Sequence, residues 1–292
     1  FPHLLLGLAL QKLEIYQSLW AMQQRIPGKA ERSMPEQFKQ IAEAGYHGVC
    51  LDPAVDEINE CLALKPLFKE YQLGCMVNAF PYTAEELAPL LDMAASLNAS
   101  QVNIIGGVMP LQPSAAASVV RSWLTTAEHY AMPVLMETHR NGTLNDLFYT
   151  LEVLHQVPEL RLCADLSHFV VDREFPLPLS EQDGQYIDQI LERSDSFQGR
   201  VSNNEQIQIA LNFPQHKQWL DQFIAWWRQG MSKWAARNGQ AATLRFLVEL
   251  GPPPYAITDG NQRELSDRWQ EGLQIKSLVE QIWQDISLQS TP

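Results

Sequence analysis

The chain repeats one local pattern eight times: a short apolar run followed by a longer amphipathic stretch. The runs are rich in aliphatic and aromatic residues, which favours strands, whereas the stretches between them repeat apolar residues with the period of a helix. In chain order the runs are LEIYQSLWA, YHGVCLDP, LGCMVNAF, SQVNIIGG, MPVLMETH, LRLCADLSH, SFQGRVS and TLRFLVELGP. This alternation predicts parallel strands joined by helical crossovers.

The spacing of the runs indicates how the strands are arranged. Successive run ends lie 26 to 33 residues apart, one strand and one helix each, and the last gap of 51 residues predicts an insertion before the eighth strand. Eight such units close into a barrel, so we predict a single-domain (β/α)₈ TIM barrel over residues 1–292, with an open doubly wound sheet as the alternative. The polar or turn-prone run ends are Trp20, Asp52, Asn78, Gly107, Glu137, Asp165, Gln198 and Glu249.

Composition and charge exclude several classes of protein. A net charge of −13 without any Lys/Arg cluster disfavours a nucleic-acid partner. No uncharged apolar run reaches the roughly 18 residues of a membrane span, so we expect no membrane partner. The four cysteines lie mostly in apolar runs without a CxxC pair, which predicts reduced thiols in a cytoplasmic protein. No glycine-rich phosphate-binding motif opens a helix, so a nucleotide cofactor has no support.

Three of the strand ends carry a carboxylate: Glu137, Asp165 and Glu249, on strands five, six and eight. Functional side chains of a barrel project from the C-terminal ends of its strands, so these three would gather negative charge around one point. Burying them is costly unless a cation offsets their charge. The pattern therefore predicts a divalent metal site, because oxygen-rich sites suit Mg²⁺ or Mn²⁺ and added imidazole suits Zn²⁺ or Co²⁺.

Each of these residues also has a structural interpretation. Glu137 is able to pair with Arg140 or His139 at the rim, and Asp165 is a good N-cap for a following turn. A single histidine such as His139 or His168 is more often a hydrogen-bonded polar residue than a metal ligand. The joint occurrence of three acidic strand ends favours the metal site.

The insertion before the eighth strand holds the polar segment SNNEQIQ and then a helix-like stretch with a stripe of tryptophans. Loops that follow barrel strands commonly shape specificity, so we expect Asn203, Glu205 and Gln208 near the barrel mouth. The stripe, which includes Trp219 and Trp226, has the spacing of a helix packing face. We expect the insertion to shield the site or to build an interface.

The segments METHR, ADLSHF, GRVSNNEQIQ and VELGPPPY resemble the xylose-isomerase-like barrel superfamily of sugar isomerases and epimerases. The resemblance implies one divalent ion (Mn²⁺, Mg²⁺, Zn²⁺ or Co²⁺). Gln198 stands where the family usually has histidine, and its amide oxygen is a poorer ligand for Zn²⁺ or Mn²⁺, so we expect weak binding or a harder ion. The metal ligands that the resemblance implies are Glu137, Asp165, Gln198 and Glu249.

The same resemblance implies proton transfer on a sugar, sugar phosphate or polyol through an enediolate, with Glu137 and Glu249 as base and acid. Two alternatives stay open: a sugar-binding barrel that has lost its metal and its catalysis, and a metal-dependent dehydratase or lyase acting on a polyol. The expected partner is a small carbohydrate, and a homo-oligomer is left open. The implied substrate-binding residues are His139, His168, Arg200 and Trp20.

Overall fold

Eight parallel strands close into a barrel in sequence order, with β8 hydrogen-bonded back to β1. The computed structural model describes residues 10–289. The predicted (β/α)₈ barrel is confirmed. The alternative of an open sheet is wrong, because the first and last strands of an open sheet would be unpaired edges, whereas β1 and β8 pair with each other here. The strands are β1 Lys12–Ser18, β2 Gly48–Leu51, β3 Gly74–Ala79, β4 Val102–Ile104, β5 Val134–Glu137, β6 Leu162–Ala164, β7 Ser194–Gly199 and β8 Thr243–Val248.

Helices cover the outside of the barrel. Local sequence sets where they begin: Ser33 and Glu36 form a capping box at the start of the first helix, and Ser180 caps the eighth. The helices are α1 Met34–Glu43, α2 Ile58–Ala63, α3 Lys65–Glu70, α4 Leu87–Ser96, α5 Pro113–Ala127, α6 Leu147–Gln156, α7 Leu166–Asp172, α8 Glu181–Glu192, α9 Lys217–Arg237 and α10 Arg268–Gln289. That residues 1–292 form one domain stays a prediction, since residues 1–9 and 290–292 lie outside the described part.

The interior of the barrel has two layers of different chemistry. Tyr16, Cys50, Met76 and Leu247 form a small apolar cluster inside the strands, separate from the larger core between the strands and helices. Side chains two residues apart on a strand share one face, so the next inward positions lie one layer nearer the C-terminal ends. Those positions are polar in all four strands: Ser18, Asp52, Asn78 and Glu249.

Two expected strand ends are wrong in detail. His168 lies on helix α7 and not on a strand, because Asp165 accepts a hydrogen bond from Ser167 N (3.1 Å) and caps a helix directly after β6. Trp20 lies in the 3₁₀ turn Trp20–Met22, because β1 ends where Ser18 Oγ accepts a bond from Ala21 N (3.2 Å).

The predicted packing role of the tryptophan stripe is confirmed. The stripe lies on α9, and Trp219, Trp226 and Trp227 are all buried. The Trp227 ring meets Phe246 of β8 edge to face at 5.4 Å. The helix of the insertion is therefore packed against the barrel wall.

All four cysteines are buried free thiols, as predicted.

Gly48 gives a stability test of the barrel interior. A Cβ at this position would lie 2.2 Å from Tyr16 Cε1 and 2.3 Å from the backbone oxygen of Gly74. We expect Gly48→Ala to lower the free energy of unfolding, measured in urea, by about 1–3 kcal/mol, because the packed backbone at Gly74 moves aside only at a cost in free energy. Gly184→Ala, in open space on α8, is the control and should raise it by roughly 0.5–1 kcal/mol. Equal stability of Gly48→Ala and the wild type would contradict this packing.

Candidate active site

Three buried carboxylates meet at the C-terminal ends of the strands. Glu137 ends β5, Asp165 directly follows β6, and Glu249 directly follows β8. One oxygen of each lies within 4.8 Å of the others. The convergence expected from the sequence is observed, since parallel strands bring their C-terminal ends to one rim.

Arg200, directly after β7, contacts two of these carboxyl groups. Its Nε lies 3.2 Å from Asp165 Oδ2, and its Nη2 donates to Glu249 Oε2 at 2.8 Å. Its Nη1 donates to Gln208 Oε1 at 2.8 Å, and Gln208 in turn donates to the backbone oxygen of Gly251. The predicted approach of Gln208 to the mouth is therefore observed. Arg200 is buried and pairs with two acids at once, a geometry that suits its planar, forked guanidinium.

Glu137 and Gln198 have no such partners. Both oxygens of Glu137, and both polar atoms of the Gln198 amide, are buried without a hydrogen bond. An unpartnered carboxylate that is only 2% exposed is costly, so this point of the site calls for a cation or for polar groups of a substrate. A divalent cation fits the donors at this position.

Two histidines lie on the β5–β6 side of the mouth. The ring centroids of His139 and His168 are 4.0 Å apart. His168 Nε2 lies 3.4 Å from Asp165 Oδ2, and His139 Nδ1 bonds to the backbone oxygen of Arg140. One nitrogen of each histidine and one oxygen of Glu137 form a second group of ligand atoms within 4.8 Å of one another. Two candidate ligand groups therefore share Glu137.

A chain of amides inside the barrel ends on the carboxylates. Gln101 donates to Asn103 (2.8 Å), and Asn103 donates to Asn78 (2.9 Å). Asn78 Nδ2 then donates to Asp52 Oδ1 at 2.9 Å and to Glu249 Oε1 at 3.3 Å. Sequence reasoning missed these residues as part of the site. The available signal was the polar pair of Gln101, directly before β4, and Asn103, within it, in an otherwise apolar run.

Aromatic rings border the same mouth. Arg200 Cζ lies 4.6 Å from the ring centroid of Tyr255, whose edge meets Trp20 at 5.2 Å. Gly251 allows this approach, because a Cβ there would lie 2.4 Å from Trp20 Cη2. A cavity of about 340 Å³ opens beside Trp20 and Asp52. Tyr255 was also missed, since a tyrosine after a proline run carries no local signal of this contact.

Burial favours a higher pKa for all four buried carboxyl groups, but charged neighbours reverse the shift at one of them. Burial raises the pKa of Glu137 well above its ordinary value, and the charges of Glu249 and Asp165 add to that rise. Burial also raises the pKa of Glu249 to about 8, although Arg200 opposes the shift, and that of Asp52 to about 7. Asp165 differs: burial favours a higher pKa, but its neighbours His168 and Arg200 outweigh it and hold the pKa below the usual range.

Burial disfavours the charged form of both histidines. Burial, helped by the neighbouring His168, lowers the pKa of His139 to about 3. Burial also lowers the pKa of His168, although Asp165 opposes the shift. Neutral imidazole has a free lone pair, which is the form that accepts a hydrogen bond or binds a metal.

Solved structures share this fold across nearly the whole chain. A xylose-isomerase-like TIM barrel protein from Mycobacterium smegmatis, in complex with magnesium, is 14% identical with a TM-score of 0.57, covering 92% of this chain and 97% of that one. D-allulose 3-epimerase from Methylomonas sp. is 14% identical with a TM-score of 0.60, covering 93% and 98%. A probable 3-DHS dehydratase from Bacillus anthracis is 13% identical with a TM-score of 0.51, covering 90% and 98%.

These likenesses establish the fold, a closed (β/α)₈ barrel, which this chain shares with xylose-isomerase-like TIM barrel proteins. Neither a protein-family model nor a curated protein matches the sequence. At these identities the likeness extends to the fold alone, so the chemistry must be argued from the residues. Among the helices of residues 10–289, none combines the length and the apolar character needed to cross a membrane.

The raised pKa of Glu249 predicts that its contribution to stability falls as the pH rises. Between about pH 4.5 and pH 8 the folded protein holds a proton on Glu249 that the unfolded chain has released, so stability is lost as the pH rises through this window. We expect the free energy of unfolding of chelator-treated wild type to fall, relative to Glu249→Gln, by up to about 1.4 kcal/mol per pH unit.

Urea denaturation at a series of pH values measures this slope. Glu152→Gln, which changes an exposed glutamate on α6, should run parallel to the wild type at every pH. Parallel curves for wild type and Glu249→Gln would show instead that Glu249 is ionised throughout the window.

Proposed function

We propose that the protein is a metal-dependent sugar isomerase or epimerase, which transfers a proton between carboxylates and a carbon next to a carbonyl group. The observation that carries the proposal is the buried, unpartnered carboxylate of Glu137 beside Asp165 and Glu249. The epimerases among the proteins of similar fold support the same reading. The proposed substrate is a small carbohydrate.

One divalent ion would be held beside Glu137. The sequence resemblance implies Glu137, Asp165, Gln198 and Glu249 as its ligands. The histidine-containing group includes Glu137 as well, so a position next to Glu137 is common to both. Such an ion supplies Lewis acidity, polarising a carbonyl oxygen and the neighbouring hydroxyl oxygen of a bound sugar.

Glu137 and Glu249 are proposed to move the proton. They lie three strands apart around the barrel, so they approach a sugar bound at the mouth from different sides. Arg200 occupies Glu249 Oε2, which leaves Oε1, with its longer bond of 3.3 Å from Asn78, as the atom that takes or returns the proton. A pKa of about 8 places Glu249 near the pH at which a group exchanges protons most effectively.

Other groups at the mouth are proposed to hold the sugar. Trp20 and Tyr255 offer an apolar wall to its carbon chain, and Arg200 offers positive charge to its oxygens. The unpartnered amide of Gln198 is placed to bond a hydroxyl group. A cytoplasmic location and a homo-oligomer stay predictions.

Exchange with solvent deuterium tests the reaction. The protein, loaded with Mn²⁺, Co²⁺, Zn²⁺ or Mg²⁺, is incubated in D₂O with a panel of ketoses, aldoses and their phosphates, and products are followed by NMR. Deuterium at the carbon next to the carbonyl, with a new isomer or epimer, supports the proposal. Loss of water from the substrate would favour the dehydratase, in keeping with the similar fold of a probable 3-DHS dehydratase. Sugar binding without exchange would favour the non-catalytic barrel.

Glu249→Gln separates chemistry from binding. The amide keeps the size of the side chain but cannot carry the proton, so we expect kcat to fall at least about a hundredfold while KM changes little. Steady-state kinetics on the substrate found above measure both constants, and Glu152→Gln serves as the control on an outer helix. A metal-loaded Glu249→Gln protein with near-normal kcat would remove Glu249 from the proposed proton transfer.

A further inference from the structure

We propose that the ion at the mouth is bound by Glu137, His139 and His168, and that it is a nitrogen-preferring metal such as Zn²⁺ or Co²⁺. This ligand group differs from the four residues that the sequence resemblance implies, with which it shares only Glu137. The inference rests on the proposed function in one respect, that a divalent ion is bound beside Glu137.

The carboxylates of Asp165 and Glu249 already have partners. Asp165 Oδ1 accepts bonds from the backbone and hydroxyl of Ser167, and its Oδ2 faces Arg200 and His168. Glu249 Oε2 receives the 2.8 Å bond from Arg200. An ion between Asp165 and Glu249 would have to share their oxygens with a buried guanidinium of the same sign of charge.

Glu137 and His168 keep donor atoms without partners, and His139 keeps one ring nitrogen outside its hydrogen bond. Both oxygens of Glu137 lack a hydrogen-bond partner, and so do both ring nitrogens of His168. His139 Nδ1 bonds to the carbonyl oxygen of Arg140, so this nitrogen carries the proton and Nε2 keeps the lone pair. Metal-binding histidines typically donate their second ring nitrogen to a carbonyl or a carboxylate in this way.

His168 has the corresponding arrangement. Neither ring nitrogen makes a hydrogen bond, and Nε2 lies 3.4 Å from Asp165 Oδ2, so Nε2 is the nitrogen that faces an acceptor and Nδ1 is the one left for the metal. Asp165 then acts as a positioning residue that orients the ring, and its negative charge also strengthens the ligand. One nitrogen of each histidine and one oxygen of Glu137 lie within 4.8 Å of one another.

The composition of the group sets the choice of metal. Two imidazoles and one carboxylate suit Zn²⁺, Co²⁺ and related ions, whereas Mg²⁺ prefers oxygen ligands. Three protein ligands also leave open positions on the ion, as in catalytic zinc sites. These positions would be available to the oxygens of a substrate.

Titration of single metals into chelator-treated full-length protein tests the assignment. ZnCl₂, CoCl₂ and MgCl₂ are added separately to the wild type, and affinity and stoichiometry are measured by calorimetry. The Co²⁺ protein is also examined by visible absorption, whose intensity rises as coordination falls from six to four. The variants are Glu137→Gln, His139→Ala and Glu249→Gln, with His155→Ala, an exposed histidine on α6, as the matched control.

We expect the wild type to bind one Zn²⁺ or Co²⁺ at least about a hundredfold more tightly than Mg²⁺. His139→Ala and Glu137→Gln should weaken Zn²⁺ binding at least about a hundredfold and change the Co²⁺ spectrum. Glu249→Gln should stay within about tenfold of the wild type and keep the spectrum, as should His155→Ala. Thermal unfolding verifies that each variant is folded, and His139→Gln replaces His139→Ala if the latter is not.

Two results would overturn the inference, and they differ in what they say of the proposed function. If Glu249→Gln loses the ion while His139→Ala retains it, the carboxylate group is the binding site and the proposed function stands. If the wild type takes up none of Zn²⁺, Co²⁺, Mn²⁺ and Mg²⁺, the metal-dependent function fails together with this site.

Discussion

The buried guanidinium of Arg200 is the interaction on which the rest of the site depends. It joins the ends of three neighbouring strands by pairing with Asp165 after β6 and Glu249 after β8. Removing one partner of such a buried pair typically costs roughly 3–5 kcal/mol, because it leaves the other charge uncompensated. Its single positive charge cannot balance every acid at the mouth, so Glu137 is left as the group that needs a cation.

The two layers of the barrel interior explain why water does not offset the excess of acidic groups over the single charge of Arg200. The apolar layer of Tyr16, Cys50, Met76 and Leu247 closes the barrel below the acids and excludes water from that side. Charges in such surroundings interact strongly and are costly to leave unpaired. The amide chain that ends on Asn78 holds Glu249 Oε1 by one long bond, which leaves this oxygen available for chemistry.

This chain shares its fold with solved sugar epimerases, but the residues at the rim of its barrel must be considered separately. The barrel is shared with epimerases and a probable dehydratase at 13–14% identity. The rim carries Gln198 where the resembling family usually has histidine, and two other histidines lie beside Glu137. A barrel tolerates such exchanges because its strands hold the scaffold while side chains at their ends change independently.

The sequence by itself determined the barrel and the rim positions of Glu137, Asp165 and Glu249. Both follow from local patterns: the period of apolar residues sets strand and helix, and a polar residue that ends an apolar run marks the strand end. Only the tertiary structure decided the partners. Gln208 reaches Gly251 across 43 positions of sequence, and Arg200 pairs with the acids that follow two other strands. Such contacts depend on which side chains the closed barrel brings within a few ångströms, and the spacing of residues along the chain does not encode that distance.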